Sequence, residues 1–143
     1  MKKFFEKISV LLDEQHRIHS KLLELENQKT GILLKGDITA LDELVTMQQP
    51  YIMSSANNEK KREKLQREMG LDGLSLRQII DDYPEARSLE KCFLELSAIL
   101  KSLKKACAKN REILNAKVDV INCILSKAGA LGDNVTYSNL KKA

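Results

Sequence analysis

The chain has no tryptophan, and only three phenylalanines and three tyrosines stand among its 143 residues. With aromatics so scarce and Leu, Lys, Glu and Ala dominant, the composition points to long helices rather than sheets. Long thin helices bury less core per residue than a compact globule, so modest stability is expected. Prolines number two and glycines six. No glycines cluster at the spacing of a phosphate-binding loop, which argues against nucleotide chemistry of that kind. No apolar run is long enough to cross a bilayer. The start, Met1-Lys2-Lys3-Phe4-Phe5, is broken by Glu6 and Lys7 before any apolar region forms. Neither a signal peptide nor membrane insertion is expected. Cys92, Cys107 and Cys123 form no CxxC pair and lie on one predicted helix. They cannot bridge there and are read as free thiols of a reducing cytosol.

Catalytic and metal constellations are also missing. His16 and His19 lie three apart, but a di-metal bundle needs Glu-x-x-His on two helices, and the chain has neither copy. They are read as solvated surface histidines, with no metal or cofactor expected. Cys107 reads as a seam residue rather than a nucleophile, and Asp81-Asp82 as a helix end rather than a catalytic pair. No enzyme is expected.

Heptad-like periodicity is what the chain does have. From Pro84 to Leu131 the residues Leu89, Phe93, Leu96, Leu100, Leu103, Cys107, Asn110, Leu114, Lys117, Ile121, Ile124 and Ala128 follow in steps of four and three. That spacing is a seam along one helical face. A helix of that length would run nearly 70 Å. A first helix is predicted from Lys3 to Leu34, with Phe4, Ile8, Leu11, Gln15, Ile18, Leu22, Leu25, Lys29 and Ile32 on its seam and Gly36 as its cap. Asp37 is a natural N-cap for a second helix, Ile38 to Met69. Pro50 inside it should kink or split it. The polar stretch Asn57 to Lys64 should be the most solvated part. Ser75 to Gln78 reads as a capping box for a short connector helix, Leu76 to Asp82, and Pro84 should open the last helix.

The expected fold is therefore all-α: an antiparallel bundle or coiled coil of three long helices, with a connector helix and an overhanging C-terminal helix. Its core should include Leu11, Ile18, Leu22, Leu25, Leu41, Leu44, Leu96, Leu100 and Leu103. Residues 1–131 are expected to form the bundle domain and 132–143 a polar, mobile tail. The first two helices are shorter than the last, so the last should overhang from near Lys117 by about 20 Å. There the apolar stripe widens through Val118, Val120, Ile121, Ile124 and Leu125. An apolar face beyond the end of its bundle calls for a partner. Ile113, Leu114, Lys117, Val118, Ile121, Ile124 and Leu125 are the candidate partner-binding residues, with Tyr137 in the tail as a further contact.

The net charge of +4 is mildly basic. Lys101, Lys104, Lys105, Lys109, Arg111 and Lys117 face only Glu112 and Asp119 as counter-charges. With no aromatic platform beside them, they read as a solvated face in preference to a nucleic-acid site; steering of an acidic protein partner is a third reading. Asn110 and Lys117 interrupt the seam. They act either as register devices or as the place where an intramolecular seam becomes an intermolecular one.

The order of these features resembles the FlgN-like flagellar export chaperones. Leu22-Leu23 with Glu26 and Lys29 resembles that family's first helix. Asp37 followed by Leu41 and Leu44 resembles its second, which Arg62 and Leu65 close. Asn110 and Asn115 resemble its asparagine-containing third long helix, and Val135-Thr136-Tyr137 its tail. The resemblance implies a cytosolic chaperone of the flagellar type III export system that uses no ATP. Its clients would be hook-filament junction proteins of the FlgK and FlgL type, held by their C-terminal helical segments along the last helix and tail. Export-apparatus components are further partners under this reading, and the free protein would be a monomer or weak homodimer. The rival readings are a self-associating structural coiled coil and a nucleic-acid-binding bundle.

Overall fold

The structure, a computed structural model, describes residues 1–129. Leu131, the segment 132–143 and Tyr137 lie outside the described residues. Among the described residues every regular element is a helix.

The first helix, α1, spans Lys2–Lys35 and ends as its sequence dictates. Gly36 adopts a left-handed conformation, φ 71°, and its N–H reaches the carbonyls of Ile32 and Leu33. Only glycine takes that turn without strain. Asp37 is extended, and its Oδ1 accepts from the Ala40 N–H at 3.0 Å. That cap opens α2, Ile38–Glu68. Pro50 does not split α2, which runs through it as one helix. At the far end Gly70 turns left-handed, φ 74°, while the Leu71 N–H bonds the Gln66 carbonyl at 2.8 Å. This six-to-one closure ends the helix and tucks Leu71 into the core.

The capping box forms as expected. The Gln78 N–H donates to Ser75 Oγ at 3.2 Å, and the Ser75 N–H donates to Gln78 Oε1 at 2.9 Å. It starts α3, Leu76–Asp82. The last helix departs from expectation. Pro84–Leu89 is a 3-10 helix, and α4 begins only at Glu90, running to Lys127. Proline disfavours helical geometry in the residue before it, and Tyr83 is extended. Three residues per turn then puts Ala86 and Leu89 on one face, and both are fully buried. The 38 residues of α4 give about 57 Å rather than nearly 70.

Side-chain bonds fix the directions of the long helices. Leu11, Gln15 and Glu26 of α1 meet Asn58, Ser55 and Gln48 of α2, so these two run oppositely. Asp13, Glu26 and Leu34 meet Cys92, Asn110 and Lys117, so α4 runs in the same direction as α1. No Cα of α2 lies within 8 Å of one in α4. Thus α1 is the central helix, and its two flanking helices leave a gap between them.

The main apolar core gathers at one end. Phe5, Ile8 and Leu12 of α1 pack with Leu71, Ile79, Ile80, Ala86, Leu89 and Leu96. Of the expected core residues, Ile18, Leu22, Leu25, Leu44 and Leu96 are buried. Leu11, Leu41 and Leu103 are only half-buried. Leu100 is a correction: it is 40% exposed. It faces the gap between α2 and α4, where no third helix closes over it. In the stretch Asn57 to Lys64 most residues are exposed, and Asn58 is the exception. Asn58 is buried, and its Nδ2 donates to the Leu11 carbonyl at 3.1 Å. A polar residue is used there because it has a backbone acceptor across the interface.

Candidate partner-binding groove

A buried polar layer holds the three long helices together below the open end. Glu26, buried on α1, takes Lys29 Nζ at 2.9 Å and Gln48 Nε2 at 3.3 Å on one oxygen. Its other oxygen accepts from Asn110 Nδ2 at 2.9 Å. The same Nδ2 also donates to the Glu26 backbone carbonyl at 2.8 Å. The Thr30 hydroxyl donates to Asn110 Oδ1 at 2.6 Å. Burial alone would push the Glu26 carboxyl above its usual range. The bonds from Asn110, Lys29 and Gln48, together with the Lys29 charge, outweigh burial and hold it below. Asn110 is therefore a register device bonded within the chain, one of the two roles the seam left open.

Histidine 19 is not a solvated surface residue, contrary to expectation. Its Nε2 lies 3.3 Å from Ser55 Oγ, which also accepts from Gln15 Nε2 at 2.9 Å. Burial lowers its basicity, and the Glu59 carboxylate pulls back toward the ordinary value. Among the described residues, no group of three His, Cys, Asp or Glu side chains is placed to hold a metal. Burial, with Asp13 at Cys92 and Glu26 at Cys107, pushes both thiols upward. Neither is an activated nucleophile at neutral pH.

Beyond the Glu26 layer the packing opens. Lys117 Nζ donates to the Leu34 carbonyl at 3.4 Å, beside the end of α1. From there α4 continues past the end of α1, from residue 118 to 127, about 15 Å. An apolar groove of 690 Å³ lies at this junction. Ile32 and Leu33 of α1, Gly36, Asp37, and Ile38 and Leu41 of α2 form one side. Leu114, Ala116, Lys117, Val118, Val120 and Ile121 of α4 form the other.

Four of the candidate residues, Leu114, Lys117, Val118 and Ile121, line this groove. Ile113, Ile124 and Leu125 sit on the same helix outside it; Ile113 and Leu125 are half-buried and Ile124 is 60% exposed. Tyr137 falls outside the described residues. The α2 wall went unread in the sequence. Its signal was Ile38, an isoleucine directly after a cap, now 80% exposed, because no bundle position would claim it.

Fold and groove together define a class: an all-helical protein with an apolar surface left open where one helix outruns its neighbours. No helix among the described residues is long and apolar enough to cross a membrane. The chain belongs to the FlgN family: the family model described as FlgN protein matches residues 1–143, its whole length. Membership carries, in general terms, the role of a flagellar export chaperone. No curated protein and no solved structure matches the chain.

Proposed function

We propose that the protein is a cytosolic chaperone of the flagellar type III export system. It holds the C-terminal helical segments of hook-filament junction proteins, of the FlgK and FlgL type, until export. The observation that carries this reading is the apolar groove where α4 passes the end of α1. An amphipathic helix laid there would bury anchors at three- and four-residue spacing against Leu114, Val118 and Ile121. The arm beyond, with Ile124 and Leu125, extends the stripe, Ile113 flanks it, Lys117 supplies a cation at its edge, and Tyr137 adds a contact from the tail. Export-apparatus components are the second class of partner, and the free protein is a monomer or weak homodimer.

Calorimetry with the C-terminal segment of a FlgK-type protein tests this. Truncating one well-buried anchor commonly costs about 2 kcal/mol, roughly thirtyfold in affinity. Ile121→Asp with Leu125→Asp should abolish binding while leaving the unfolding free energy nearly unchanged, because the main core lies at the other end. Undiminished affinity would move the site off α4.

A further inference from the structure

The groove is built from helix ends beyond the main core cluster, with the buried Leu33 in its wall. The core cluster ends on α4 near Ile99. Past Asn110, Lys117 Nζ ties α4 to α1 by donating to the Leu34 carbonyl at 3.4 Å. All three long helices are joined through the layer of Glu26, Gln48 and Asn110. It stands directly under the groove: Leu114 is one turn beyond Asn110 and lines it, as does Leu41, two turns before Gln48.

We propose that this buried layer is a latch: Glu26 holds α4 against α1 and α2 at the base of the groove and so sets how far the groove stands open. Its importance for capturing a client rests on the groove reading above. The layer suits the task because its bonds are specific and nearly saturated. Both Glu26 oxygens accept, and the Asn110 amide spends its donors on Glu26 while its oxygen accepts from Thr30. An apolar contact can slide by a fraction of a turn. A carboxylate bonded to two flanking helices cannot do so without leaving buried donors unmet. Changing the charge or one bond of this layer should therefore release the arm of α4 selectively.

Hydrogen exchange on the full-length protein without any partner tests this. Glu26→Gln keeps the shape and removes the charge, so the Gln48 and Lys29 donors lose a strong acceptor. The amides of residues 113–127 should then exchange at least about tenfold faster, and those of 92–103 less than about twofold faster, since local opening need not follow the global transition. Thr30→Val removes one bond of the layer at constant shape. It should give the same selective pattern at roughly threefold, and it decides the matter if Glu26→Gln does not fold. Equal acceleration of both segments would reduce the layer to a general contributor to stability, and an unchanged arm would show that Glu26 does not hold it. Either result overturns the latch. Because exchange is read without a client, failure of the groove as a flagellar binding site leaves this result untouched, and the reverse also holds.

Discussion

Leu96 and Leu100 share a seam one turn apart, yet only the first is buried. Leu96→Ala should cost about 2–5 kcal/mol, and Leu100→Ala about 1 kcal/mol or less, because little buried volume is lost there. Paired denaturant titrations separate them. His19 makes a second residue-scale prediction. Its folded-state pKa lies below the ordinary 6.5, chiefly through burial. A base held neutral gives stability that is complete above the unfolded value and lost as pH falls through the folded one. Melting temperature should drop as pH falls below about 6.5, and His19→Gln should flatten that drop. Glu26 adds a further loss below its ordinary 4.5, since its folded pKa is also lowered. A melting temperature that rises on acidification through this range would show that His19 is not held neutral by burial. The spacing of three between His16 and His19 was legible in the sequence. The half-burial of His19 beside Ser55 was not, because Ser55 arrives from a second helix.

Element boundaries were the most legible feature, and each has a local cause. Gly36, Asp37, Gly70 and the Ser75–Gln78 box end or start helices through groups within a few residues. Two glycines on or just after α1 make opposite predictions. Gly31 is inside the helix with nothing within 4 Å of an added Cβ, so Gly31→Ala should stabilise by about 0.5–1 kcal/mol. Gly36 has equal space but a φ of 71°, so Gly36→Ala should destabilise by about 1 kcal/mol. Chemical unfolding of the two variants checks the signs, and equal signs would contradict the cap. The 3-10 segment at Pro84–Leu89 was not legible. Proline is compatible with the first turn of either helix type, and the three-residue spacing of Ala86 and Leu89 puts both on one face in either.

At the scale of the whole molecule the apolar core closes one end and the groove opens the other. Relative helix lengths placed the start of the overhang near Lys117, and Lys117 bonds the end of α1. The four and three spacing could not reveal that α2 and α4 stay apart, because a seam does not say how many neighbours cover it. Ile38 and Leu41 therefore entered the candidate site only with the structure. Light scattering of the free protein should give a mass near 16.2 kDa or a weak dimer; a stable higher oligomer would favour the structural coiled-coil reading. The most direct test of the central claim is methyl NMR of the protein titrated with the C-terminal segment of a FlgK-type junction protein. The shifts should concentrate on Leu114, Val118, Ile121, Ile38 and Leu41, with Phe-flanked core methyls such as Ile8 and Leu96 unmoved. Shifts confined to the closed end, or none at saturating segment, would contradict the account.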